Sequence, residues 1–202
     1  MKQEDISKYL PKYLSSESGN ALREALNEFP KLDASRYYTT KLSSTKILYQ
    51  GDGIKNLLIV NLPSVEFKKK DSVVISNTCD IDLANPRLYE SRILYSPIIS
   101  LKDYERILLE ENHSTEKVQA HLESIKKQEI TSVFYLPELP SQMEESIIFF
   151  DRILNMSNHE IDRTKLSSER KFTLSTFGHY LFLLKLSFHL SRVQEGIDRD
   201  NP

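Results

Sequence analysis

Ser72-Val-Val-Ile-Ser-Asn-Thr-Cys-Asp-Ile-Asp82 sets a β-branched apolar run against an abrupt polar ending. A short run of this kind, closing on Ser-Asn, reads as a buried strand that stops in a turn. The same rhythm recurs on both sides of it. Runs rich in Ile, Val, Leu and Tyr, separated by Gly-Asp-Gly, Lys-rich and Asn/Pro-containing turns, predict strands over 46–49, 56–62, 72–76, 92–97, 132–136 and 146–150. Six short, mostly antiparallel strands predict a small β-barrel.

Helical spacing takes over elsewhere. Between the fourth and fifth strands, Tyr104, Ile107, Leu108, Val118, Leu122 and Ile125 are spaced for two helices, broken near Asn112-His-Ser-Thr115. Residues 15–30 read as a capped amphipathic helix with Ala21, Leu22, Leu26 and Phe29 on one face, ended by Pro30. Residues 173–193 carry Phe177, Tyr180, Leu181, Leu184, Phe188 and Leu190, an apolar surface that must dock on the barrel or on another chain. The expected class is α+β: an N-terminal helical extension (1–36), a barrel (37–160) with a helical insertion at 102–128, and a C-terminal helical extension (161–202).

The chain has 202 residues and a formal charge of −2, a balance that disfavours broad, indiscriminate nucleic-acid binding. Six lysines nevertheless fall within residues 41–70 against only Asp52 and Glu66. Tyr180-Leu-Phe-Leu-Leu184 is cut by Lys185, far short of a membrane span of about 20 residues, and no apolar run follows the polar N-terminus, so a cytoplasmic protein is expected. Cys79 is the single cysteine, the five histidines match no zinc spacing, and no glycine-rich phosphate loop occurs, so neither metal nor cofactor is expected. Cys79 as a nucleophile needs one of His113, His121, His159, His179 or His189 beside it; a small packed side chain is the favoured reading. Asp80 and Asp82 are expected to cap a turn or pair with Arg87 or Arg92. Arg36 with Tyr37-Tyr38 has the composition of a base-stacking element, although aromatic residues at a strand edge are more often core.

Five pieces in order, Gln50-Gly-Asp52, Val60-Asn-Leu-Pro63, Ser72-Val-Val-Ile-Ser-Asn77, Ile93-Leu-Tyr-Ser-Pro-Ile-Ile-Ser100 and Ser146-Ile-Ile-Phe-Phe-Asp-Arg-Ile-Leu154, resemble the PemK/MazF toxin family over roughly residues 49–160. The resemblance implies an SH3-like barrel and a metal-independent endoribonuclease acting on single-stranded RNA. In that family a ribose 2′-hydroxyl attacks the adjacent phosphate, which calls for proton transfer and cationic stabilisation. Carried over, it makes Lys70 the phosphate cation, Ser100 a hydrogen-bond donor to the phosphate, and Asp80 or Asp71 the proton acceptor, with Lys68, Lys69, Asn77 and Thr78 holding RNA. The family's Arg-Pro pair is replaced here by Lys70-Asp71, a point charge where arginine offers a planar fork. The resemblance also implies an inhibitory partner protein and a homodimer or hetero-complex through the helical additions. The competing expectation is a non-catalytic barrel that serves as a protein-protein interaction module, favoured by the lost arginine, the acidic balance and the added helices.

Overall fold

The computed structural model describes residues 34–191 apart from Pro86; the helix expected over 15–30, and anything beyond 191, lie outside the described residues. Among the described residues there are nine strands. They are β1 (Tyr38–Thr39), β2 (Gly53–Asn61), β3 (Glu66–Val74), β4 (Arg92–Pro97), β5 (Ile99–Ser100), β6 (Val133–Leu136), β7 (Ser146–Phe149), β8 (Leu154–Ser157) and β9 (Arg170–Leu174). The helices are α1 (Thr78–Ile81), α2 (Leu101–Glu110), α3 (Thr115–Lys126), α4 (Leu166–Glu169) and α5 (Thr176–Ser191). The class is therefore α+β.

The strands form two open sheets and not the closed barrel expected. One has the order β1-β9-β2-β3-β4-β8, the other β5-β7-β6, and every pairing is antiparallel. The chain changes sheets just after Pro97. The β3–β4 ladder runs one residue past it, to the bond from the Ile98 N–H to the Asp71 carbonyl (2.8 Å). The chain then enters the second sheet as β5. Meanwhile β8, absent from the sequence reading, takes the other edge of β4 through Arg92↔Ser157 to Tyr95↔Leu154.

Two other expectations are corrected. Residues 46–49 form a loop rather than a strand: the Arg170 guanidinium holds the chain leading into them, donating to the carbonyls of Leu42 (2.8 Å), Ser43 (3.3 Å) and Thr45 (3.2 Å), and within them to that of Ile47. The long C-terminal helix starts at Thr176, since Arg170–Leu174 is a strand inserted between β1 and β2. The two helices between 102 and 127 form as α2 and α3, and they pack Leu101, Val118, Leu122 and Ile125 on the β6–β7 face.

Helix α5 docks on the chain's own sheet. Phe177, Leu181, Phe182 and Leu186 join Tyr37, Phe134, Phe150 and Phe172 in one core. Phe182 meets Phe134 and Phe150 edge-on, with ring centroids 5.3 and 5.8 Å apart. Such contacts add about 0.5–1.5 kcal/mol each to the value of burial. Gly178 lets α5 approach closely, for a Cβ there would overlap the backbone carbonyl oxygen of Tyr37. Backbone cannot swing aside as a side chain does, so Gly178→Ala is expected to lower stability by about 1–3 kcal/mol. Urea titration followed by circular dichroism checks this; an unchanged midpoint would show that the helix lifts freely.

Candidate functional site

Antiparallel register brings the first candidate residues together. Ser72 faces Pro97 across β3 and β4, and the ladder continues through Ile98 to Asp71. Lys69 and Lys70 on β3 and Ser100 at the end of β5 thus reach the same place, and all three line one open cleft of about 610 Å³. Ser100 is also the N-cap of α2, its Oγ accepting the Asp103 N–H at 3.4 Å. The α2 helix starts here with its positive end toward the cleft.

Asp71 organises one wall. Its carboxylate accepts from Lys171 Nζ at 2.6 Å and from the Asn56 N–H at 3.2 Å. Asn56 reaches it because β2 is irregular between Ile54 and Leu57 and Asn56 adopts φ 59°, a left-handed conformation that asparagine tolerates better than most residues. Only Asp103 of the inserted helices lines the cleft, so α2 and α3 leave it uncovered. The cleft is not basic, however: Lys69, Lys70 and Lys171 share it with Asp71, Asp103, Glu138 and Glu144.

The remaining candidates stand elsewhere. Lys68 pairs with Glu66 on the exposed part of β3 (3.3 Å). Asn77 caps α1 by accepting the Cys79 N–H at 2.9 Å. Asp80, offered by the sequence as a proton acceptor, is bound to Arg87 at 2.7 Å and does not line the cleft. Cys79 is exposed, and among the described residues no hydrogen bond joins it to a histidine. Thr78 lines a different cavity, of about 630 Å³, together with Arg36, Lys41, Tyr49, Gln50 and His179. Its Oγ accepts the Gln50 N–H at 3.0 Å, and Gln50 Oε1 lies 3.4 Å from His179 Nε2. Burial pushes the His179 ring below its ordinary pKa, toward the neutral form.

Sequence reasoning missed Lys171 and Asn56. Lys171 sits in the alternating run Arg170-Lys-Phe-Thr-Leu174, which a period-two count would have flagged as a strand. Asn56 carried no such signal. Among the described residues no group of three His, Cys, Asp or Glu side chains is arranged to hold a metal ion, and no helix is long and apolar enough to cross a membrane. Compared with known proteins, the chain matches no protein-family model and no curated sequence.

Proposed function

We propose that the chain is a divergent PemK/MazF-like protein, its two sheets an opened form of that family's SH3-like barrel, and that it cleaves single-stranded RNA in the cytoplasm without a metal. One observation carries this reading: Lys70 and Ser100, thirty positions apart in sequence, line the same uncovered polar cleft. In the proposed reaction the ribose 2′-oxygen bonds to phosphorus as the P–O5′ bond breaks, leaving a 2′,3′-cyclic phosphate and a 5′-oxygen that takes a proton from solvent water to become the 5′-hydroxyl. Lys70 offsets the charge that accumulates on the phosphate oxygens, and Ser100 donates a hydrogen bond to one of them. Asp71, the acceptor candidate that borders the cleft, takes the 2′-hydroxyl proton, while Lys171 keeps its carboxylate in place. Lysine offers no bidentate fork, so slow turnover is expected relative to an arginine-bearing site.

A second reading is favoured by the four carboxylates of the cleft and by the exposed apolar side chains Leu58, Leu62, Val65 and Phe67 on and between β2 and β3. In it the sheets are a scaffold and the protein is an interaction module for a second copy or a partner protein. Incubation with mixed-sequence single-stranded RNA in the presence of chelator separates the two. The nuclease reading expects cleavage that falls by about 100-fold in Lys70→Ala and in Ser100→Ala. No cleavage by the unaltered protein, or cleavage indifferent to both substitutions, leaves the interaction module.

A further inference from the structure

The charged groups of the cavity beside α5 are engaged elsewhere. Arg36 lies over the Phe177 ring, 5.1 Å from its centroid, and Arg170 lies over the Tyr49 ring at 5.8 Å. The exposed Lys41 also lines the neighbouring concavity, which Glu138 shares. What remains is uncharged. Gln50, 9% exposed, stands with Thr78 on one side and His179 on the other, and Leu174 and Phe177 supply apolar wall.

The hydrogen bonds of Gln50 fix what these neighbours can offer. Its Nε2 donates to the Ile75 carbonyl at 2.7 Å, so the atom 3.4 Å from His179 Nε2 is the amide oxygen. An amide oxygen only accepts, and His179 Nε2 therefore carries the proton. Burial pushes the ring below its ordinary pKa, and no carboxylate among the described lining residues holds it charged. The ring is then neutral at neutral pH, and Nδ1 keeps its lone pair. Among the described residues Nδ1 has no hydrogen-bond partner, and it is not sealed from water. Thr78 Oγ accepts the Gln50 N–H at 3.0 Å, which leaves its O–H to donate. Thr173 and Ser175 have no such freedom, since their hydroxyls donate to Asp52 and to the Arg36 carbonyl. The cavity thus offers one acceptor and one donor, both uncharged, beside an apolar wall.

We propose that this cavity is a binding site for a neutral, planar small molecule bearing a cyclic amide, whose N–H donates to His179 Nδ1 and whose carbonyl accepts from the Thr78 hydroxyl. The ring packs against Leu174 and Phe177. An anion would find no cation free to meet it, and a cation would face Arg36 and Lys41. The volume, about 630 Å³, falls within the range of roughly 300–1,000 Å³ usual for small-molecule sites and leaves room for a substituent on the ring. The inference does not depend on the chemistry assigned to the Lys70–Ser100 cleft.

The test uses the full chain with uracil, whose ring sets an N–H beside a carbonyl, and with 1,3-dimethyluracil, which keeps the ring and carbonyls but has no N–H. Saturation-transfer NMR titrations measure Kd. Uracil is expected to bind and the dimethylated ring to bind at least about tenfold more weakly, the loss of one hydrogen bond. His179→Phe keeps a ring in place without the acceptor, and Thr78→Val removes the donor; each should raise the Kd for uracil by about tenfold. Thr78→Ser should restore it, and Lys41→Ala should leave it unchanged. If Thr78→Val disturbs the Gln50 backbone, His179→Phe and the dimethylated ring still decide the matter. Absence of uracil binding, equal affinity for the two rings, or a Kd unmoved in both His179→Phe and Thr78→Val overturns the site. A preference for uridine 5′-phosphate over uridine that vanishes in Lys41→Ala overturns it as well, because the cavity would then select an anion.

Discussion

Arg170→Met is expected to lower stability by about 3–5 kcal/mol, because it leaves a buried carboxylate without its countercharge. Asp52 is completely buried and Arg170 is 8% exposed. The carboxylate accepts from Arg170 Nε (3.0 Å), Thr173 Oγ (2.8 Å) and the Tyr49 N–H (2.9 Å). Burial pushes the Asp52 carboxyl above its ordinary range, opposed by the Tyr49 N–H and by Arg170 and Thr173. Methionine matches much of the arginine stem but removes that opposition, and it strips the donor from the loop carbonyls of residues 42–47. The pH dependence has a definite sign. With the folded pKa raised above the unfolded one, the folded state holds its proton longer, so stability in the variant falls as pH rises through the interval between the two. The deficit should be smaller at acidic than at neutral pH. Adding Asp52→Asn to the variant should recover part of the loss, since no charge is then left bare. Urea denaturation followed by circular dichroism reads all three proteins; a cost under about 1 kcal/mol for Arg170→Met would show that water reaches Asp52 and solvates it. The same variant should loosen the loop over 42–49, whose carbonyls Arg170 holds.

Which parts of this were legible in the sequence follows from how local each signal is. Alternation and apolar runs located β4, β6 and β7, because those side chains pack against immediate neighbours in the sheets. Helix periodicity located α2 and α3 for the same reason. The stretch Ile47-Leu-Tyr49 reads as a strand and is not one: Leu48 is buried, Ile47 is exposed, and the backbone is held by an arginine more than 120 positions away. No local pattern reports such a partner. Lys70 and Ser100 were reached through an order of motifs, and they share a cleft because β3 and β4 are in register. Asp80 looked as promising, but the strand after Ser72 ends in the Asn77 cap, and the one-turn helix that follows carries Asp80 to Arg87. A chain four residues past a strand end can point anywhere, and sequence distance alone could not decide it.

Lys185 should make stability rise with pH between about 7 and 9.5, the reverse of what a lysine held charged by an ion pair does. It lies on the buried side of α5, 7% exposed, and donates to the Gln128 carbonyl (2.8 Å), Gln128 Oε1 (2.9 Å) and the Ile130 carbonyl (2.8 Å). Gln128 in turn holds the Tyr135 backbone and the Tyr37 hydroxyl, so one ammonium ties α5 to the turn after α3 and to β6. No carboxylate is among these partners, and burial pushes Lys185 from 10.5 down to about 7. Between those values the unfolded chain carries a proton that the folded chain has released, so folding becomes more favourable as pH rises. The full span is worth on the order of 4–5 kcal/mol at about 1.4 kcal/mol per pH unit. Other titrations bound the usable window. His179, also lowered by burial, acts only below its ordinary 6.5. Tyr37, pushed up to about 12 by burial, and Tyr38, Tyr95, Tyr104 and Tyr135, raised by the same cause, keep their protons in the fold while unfolded tyrosines lose theirs near 10, which reverses the slope there. Lys185→Met removes the titration but takes the donor from the Gln128 carbonyl, at a cost of about 1–3 kcal/mol, while Gln128 Oε1 keeps the Tyr135 N–H (3.1 Å) and the Ile130 carbonyl keeps the Val133 N–H (3.2 Å). The variant is therefore expected to match or exceed the unaltered protein at pH 6.5 and to fall behind it at pH 9. Parallel pH profiles for the two proteins would mean that the three acceptors keep Lys185 charged throughout, and that its cage stabilises the ion more than burial penalises it.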